Sequence, residues 1–329
     1  MTELVAIDIG GTHARFALAR IAADGAITLD AAVTLCTKDH ASFQTASKEF
    51  ARHSGRALPP AAAIAIAGPV GGDVIRFTNN PWIIRPALIP EKLGADRYTV
   101  VNDFGAVGHA VARAAPGDFA HLCGPDEPLP AKGTLTVVGP GTGLGVAHVW
   151  RDGRPMNEGG DYRVQATEGG HIDYAPLDQI EDQILAHLRR RYHRVSVERV
   201  VSGPGIVEIH EVLAALENRP IRKSDDKTLW QLGASSEDRL AVAAVDRFCL
   251  SLGAVAGDLA LAQGAAGVVI AGGLGLRIRA ALEQSFFAAR FRAKGRFEGL
   301  MAALPVKLIT HPQPGLFGAA AAFAKEHLA

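Results

Sequence analysis

The chain has 329 residues, 48% of them hydrophobic and 21% charged, with 34 basic residues balanced by 34 acidic ones. That length exceeds one small core and fits two domains or one large one, and the charge balance gives no electrostatic case for nucleic acid or an anionic membrane. Cys36, Cys123 and Cys249 are odd in number and far apart, so no disulfide framework or zinc motif is readable from their spacing, and a reducing cytoplasm fits.

The opening "MTELVAIDIGG" carries Glu3 and Asp8 where a signal peptide needs basic residues and an unbroken apolar core, so no export is expected. In "LVAIDIGGTHARFALARI" two β-like runs flank Gly10, Gly11 and Thr12, which predicts a hairpin with a glycine-rich turn. Asp8 interrupts the first run. A charge inside an apolar strand is costly unless it is paired or faces a cleft, and beside a phosphate site it suits Mg2+, often through water; an edge-strand aspartate in solvent is the other reading.

After a buried-looking strand, "AAIAIAGPV", and a turn-rich "FTNNPWII", the stretch "YTVVNDFGAVGHAVARA" passes from strand to helix at Asn102 and Asp103. One reading makes one of this pair the N-cap. The other makes the aspartate a proton acceptor at the carboxyl end of a strand, where α/β sheets bind ligands. The two need different side-chain directions, and the local sequence leaves both open.

The first plan recurs roughly 130 residues later in "TLTVVGPGTGLGVAHVWRDG", around Gly139, Gly141, Thr142, Gly143 and Gly145, a spacing that suits a duplicated domain rather than a solenoid. Without side chains a backbone can approach phosphate oxygens and offer its N–H groups. Neither turn is a Walker loop or a Gly-x-Gly-x-x-Gly motif, and each alone reads equally as a tight hairpin turn. Further on, "ATEGGHIDYAP" sets Glu168 and His171 about two glycines, a pair suited to vicinal hydroxyls or simply a polar surface turn. "NEGGDY", with Glu158, looks similar but lacks the histidine. Glu198, in "RVSVERVVSGPG", resembles any solvated charge.

Helical spacing predicts helices over 177–192, 206–216 and 236–264. Residues 259–276 form 18 residues without a charge, about the lower limit of a membrane span. Gln263 and five glycines divide them instead into a helix end, a strand "VVIAGG" and a turn. There, Gly272 and Gly273 leave room for an adenine or ribose to pass the backbone, or make an ordinary strand-to-helix turn. "PVKLIT" then predicts a strand, and a terminal helix beginning near Gly315 is expected to pack on the first domain. Alternating strands and helices argue for an α/β fold, with a domain boundary placed by topology near residue 110.

Taken in order, "DIGGTHARFAL", "TNNPW", "VVNDF", "GPGTGLGVAH", "EGGHIDYAP", "ERVVSGPG", "IAGG" and "HPQPGLFGAA" resemble the ATP-dependent bacterial glucokinase family, over nearly the whole chain. The resemblance implies an α/β, two-lobed actin-like (ribonuclease H-like) ATPase fold: a small α/β domain, 1–110 plus 311–329, and a larger α+β domain, 111–310, with a cleft between. It implies phosphorylation of glucose by ATP, with Asp103 as general base and Asn102, Asp103, Glu168, His171 and Glu198 holding the sugar. Asp8, Ile9, Gly10, Gly11, Thr12, Gly141, Thr142 and Gly143 would meet the ATP phosphates, Gly272 and Gly273 the adenosine, and Asp8 would hold Mg2+, through water. A cytoplasmic homodimer is implied too. A kinase for another hexose and a non-catalytic sugar sensor are the alternatives. The stretch before Glu168 is longer than in familiar members. The zinc motif of the related repressor group is absent beside His171, and a DNA-binding helix-turn-helix has no room before Leu4.

Overall fold

The computed structural model describes the whole chain except residues 78–79, 155–157, 159, 221–223 and 329. The chain forms two compact units, Met1–Ala114 with Arg154–Ala166 and His311–Ala329, and Ala115–Gly153 with Thr167–Thr310.

The first unit contains β1 (Thr2–Ile9), β2 (His13–Ile21), β3 (Ile27–Leu29), β4 (Val33–Cys36), α1 (Phe43–Ser54), β5 (Ala61–Ile66), β6 (Ile75–Arg76), β7 (Ile83–Ile84), α2 (Ile89–Leu93), β8 (Arg97–Asn102) and α3 (Asp103–Arg113). Its main sheet runs β3-β2-β1-β5-β8, with β1 antiparallel to β2 and parallel to β5, and β5 parallel to β8. Both faces are covered, which is why the strands read as nearly unbroken apolar runs. Alternation still sorts their residues. Val5, Ile7, Ile9, Ala62, Ile64 and Ile66 join Phe16, Phe43 and Phe50 on one face. Leu4, Ala6, Ala61, Ala63 and Ala65 meet Leu316, Ala319, Ala320 and Phe323 on the other.

Those last four belong to the C-terminal helix (Pro314–His327), which packs on this unit against β1, β5 and α3. The small alanines let it lie close, and Gly318 lies against the Ala106 carbonyl with no room for a Cβ. The sequence reading placed residues 154–166 in the second domain. They cluster instead with the first unit, because Tyr162 is buried there with its hydroxyl 3.0 Å from His109 Nδ1 of α3. Lys325 of the C-terminal helix also lies 4.9 Å from the centre of the Tyr162 ring and pairs with Asp161.

The second unit contains β9 (Phe119–Cys123), β10 (Lys132–Pro140), β11 (Leu144–Asp152), the end of β12 (Tyr162–Thr167), α4 (Gln179–Arg189), α5 (Gly205–Leu216), α6 (Asp226–Ala234), α7 (Arg239–Gln263), β13 (Ala265–Ile270) and β14 (Val306–Ile309), with short helices between the last two strands. Its strands follow the path β11-β10-β13-β14-β9. As in the first unit, an antiparallel hairpin is followed by two parallel neighbours, here β13 and β14. The duplication expected from the two glycine-rich hairpins is thus a duplication of sheet topology.

The stretch 259–276 divides at the expected points into a helix end and a strand, α7 ending at Gln263 with Gly264 capping it at φ 58° and β13 following, but a short helix from Gly272 takes the place of the strand's last two residues and of the turn. α7 itself is long and apolar enough to cross a membrane, but 72% of its most apolar window is buried in the unit, as for a core helix. α6, which the sequence reading did not identify, places Trp230 in the same core.

Candidate active site

In the first unit the parallel strands β1, β5 and β8 end together, since Ile9 is in register with Ile66 and Ile66 with Asn102. The turn Gly10–Thr12 and the Asn102–Asp103 pair therefore share the carboxyl edge of the sheet, the ligand edge of open α/β sheets. The turn's carbonyls are tied back into the unit. Gly10 accepts from the Asn80 amide at 3.4 Å, Gly11 from the Thr37 hydroxyl at 3.0 Å and Thr12 from the Thr37 N–H at 2.9 Å. Thr37 and Asn80 were not singled out from sequence. Thr37 stands in no motif, whereas Asn80 belongs to "TNNPW", whose Thr78 and Asn79 lie outside the described residues.

Asp8 stands opposite Arg15 across the hairpin, its side chain 20% exposed and 3.3 Å from the guanidinium. Burial pushes its pKa up, and Arg15 opposes that. A carboxylate so poorly compensated is a fitting oxygen donor for a hard cation. Ile9 is different: its side chain is fully buried and its carbonyl accepts from the Ala67 N–H at 3.0 Å, so of the residues expected at the nucleotide it is the one turned inward.

The structure divides the Asn102–Asp103 pair. Asn102 is the N-cap of α3, its Oδ1 accepting from the N–H groups of Phe104 (2.9 Å) and Gly105 (3.1 Å). Its amide also donates to the Gly68 carbonyl at 3.2 Å. The helix's orphan donors thus claim the side chain expected to hold sugar, leaving at most its remaining N–H for a ligand. Asp103, partly exposed, begins the helix with one carboxylate oxygen 2.8 Å from the Phe104 N–H.

In the second unit β13 ends at Ile270, in register with Val138, while β10 continues to Pro140. Gly272, at φ 83°, lies against the Pro140 carbonyl where a side chain would collide, whereas Gly273 faces open space. The turn Gly141–Gly143 closes on itself through the Gly141 N–H and Gly143 carbonyl at 2.8 Å, and Thr142 is exposed.

Glu168 and His171 lie 3.9 Å apart, 75% and 56% exposed. A one-turn helix, Gly169–His171, holds them, and Gly170 is pressed so close to the Leu144 carbonyl that no Cβ fits. Glu198 meets the same residue from another side, accepting from the Leu144 N–H at 2.8 Å. Ile172 and Val197 join the two segments, the Val197 N–H donating to the Ile172 carbonyl at 2.9 Å. The three residues are therefore gathered at the beginning of β11, beside the second glycine turn. Of the long stretch before Glu168, residues 155–157 and 159 lie outside the described residues.

A frame used twice, with a glycine turn and carboxylates at the strand ends of each copy, defines an α/β protein of the actin-like sugar kinase class. A family model described as glucokinase matches residues 4–326. The chain is 57% identical over 326 residues to a glucokinase of Zymomonas mobilis, covering 99% of this chain and 98% of that one. Among solved structures it resembles a glucokinase from an Antarctic psychrotroph, with TM-score 0.84, 30% identity and 99% of each chain covered. It also resembles the Balamuthia mandrillaris glucokinase solved in complex with glucose, with TM-score 0.81 over 98% of this chain and 94% of that one; at 21% identity this likeness shows the fold alone. The chain belongs to the glucokinase family.

Proposed function

We propose that this chain transfers the γ-phosphoryl group of ATP to the 6-hydroxyl of glucose, giving glucose 6-phosphate and ADP. Family membership over nearly the whole chain carries the reading, and the position of Asp103 at a strand's carboxyl end supports its part in it. Phosphoryl transfer asks the protein mainly for positioning and charge stabilisation. Asp103 accepts the hydroxyl proton as that oxygen attacks phosphorus. Glu168, His171 and Glu198 accept or donate to the other hydroxyls, with Asn102 limited to the N–H that its capping role leaves. The N–H groups of Gly10 and Gly141 close their turns, onto the His13 and Gly143 carbonyls, so it is the N–H groups of Gly11, Thr12, Thr142 and Gly143 that stabilise the phosphate oxygens, and Gly273 leaves space for adenosine. Mg2+, when bound beside Asp8, supplies positive charge to those oxygens.

The enzyme works as a cytoplasmic homodimer in this reading. The 57% identity to a glucokinase over nearly the full length of both chains supports the choice of sugar. Shared hydroxyl partners discriminate weakly between hexoses, so the decisive assay follows ADP formation with a panel of glucose, mannose, fructose and amino sugars. ADP formed fastest with glucose is expected. Faster turnover of another hexose would reassign the substrate, and sugar binding without ADP would make the chain a sensor.

A further inference from the structure

The segment Glu198–Gly203, whose Glu198 is expected from sequence to hold the sugar, grips the second glycine turn at both ends. At one end the Glu198 carboxylate accepts from the Leu144 N–H at 2.8 Å, and its Oε2 fills the space where a Cβ on Gly143 would go. At the other, the Gly203 N–H donates to the Gly141 carbonyl at 2.7 Å. Gly203 is itself fixed, because its carbonyl accepts from the indole N–H of buried Trp230 at 2.9 Å. The turn between these grips, Gly141–Gly143, is one of the two assigned to the ATP phosphates. A backbone that must present its N–H groups to an anion works only if it is held in that geometry before the anion arrives.

We infer that Glu198 is a positioning residue for the nucleotide turn as well as a sugar partner. This inference rests on the kinase reading above. One carboxylate oxygen holds Leu144, and hence the turn, while the other remains for a substrate hydroxyl, so the residue serves both substrates at once. A residue that touched only sugar would leave nucleotide binding in the absence of sugar unchanged.

The test is titration of the full chain with a non-hydrolysable ATP analogue and Mg2+, without sugar, alongside a separate glucose titration without nucleotide. Glu198→Ala removes the acceptor and is expected to weaken analogue binding about tenfold, the scale of a lost hydrogen bond to a charged group. Glu198→Gln keeps a carbonyl oxygen for Leu144 and should hold analogue affinity within about threefold while glucose binding falls in both variants. If Glu198→Ala fails to fold, Glu198→Ser, whose hydroxyl is too short to reach the Leu144 N–H, replaces it, and the same loss is expected. Analogue affinity unchanged in the folded variants would overturn the inference and leave the kinase reading intact. A chain that binds the analogue with the expected variant losses but phosphorylates no hexose would sink the kinase reading and leave the grip standing.

Discussion

Asp8 and Arg15 face each other in register across the first hairpin, the guanidinium 3.3 Å from the carboxylate. Burial nonetheless leaves the Asp8 carboxyl raised above its ordinary range. A carboxyl whose folded pKa is raised destabilises the fold above that pKa and is relieved as pH falls. Asp8→Asn should therefore stabilise the chain near neutral pH, while weakening Mg-nucleotide binding roughly tenfold or more. Thermal melts with and without Mg-ADP check both halves, and a variant that gained stability yet bound nucleotide normally would remove Asp8 from the phosphate site.

Asp103→Asn is expected to retain fold and glucose binding but to lose on the order of 10² or more in kcat. Near-normal turnover would refute its role as base. The neighbouring residue behaves differently. Asn102→Ala removes the cap of α3 and the bond to the Gly68 carbonyl and should cost about 1 kcal/mol or more in denaturant unfolding, and Asn102→Asp, which keeps the cap but turns a carboxylate oxygen towards that carbonyl, should recover only part of the loss.

Gly318→Ala places a Cβ into the Ala106 carbonyl. Two helix backbones must separate to admit it, a change expected to cost about 3 kcal/mol. Urea titration measures it, and because the collision lies in the first unit, a fluorescence change from Trp82, buried there, should shift with it.

His109 is held neutral by burial and by the charge of Lys325, its pKa lowered from 6.5 to about 4. Above pH 6.5 the imidazole is neutral folded or unfolded, and stability is complete. As pH falls from 6.5 towards 4 the unfolded chain takes up a proton that the folded chain refuses, so stability declines, by about 3 kcal/mol for this group alone. Unfolding free energies at pH 7 and pH 5 for wild type and His109→Gln isolate its share. The variant should be less stable at pH 7 and should lose less between the two pH values. Parallel losses would show that other groups set the acid limit.

The two hairpins, the strand before Asn102 and the division of 259–276 were legible in the sequence because each rests on local pattern: short apolar runs ended by glycine or by a polar pair. Glu168 and His171 were legible as a pair because three residues of chain bring them together. What was not legible depends on contacts far apart in sequence. Nothing near Glu198 announces that it accepts from Leu144, or near Thr37 that it fixes Gly11 and Thr12. The cap at Asn102 was one of two open readings, and only the direction of its side chain decides for it. The docking of residues 160–166 on the first unit turns on Tyr162 finding His109 and Lys325, which no periodicity records.

The C-terminal helix has a consequence for biosynthesis. Leu316, Ala319, Ala320 and Phe323 complete the core that Leu4, Ala6, Ala17 and Ala106 begin, so one face of the first sheet is only partly covered until those residues leave the ribosome. The second unit is whole once Thr310 has emerged. Although domains generally mature from the amino terminus during translation, here the first unit waits for a helix that is made only after the whole of the second.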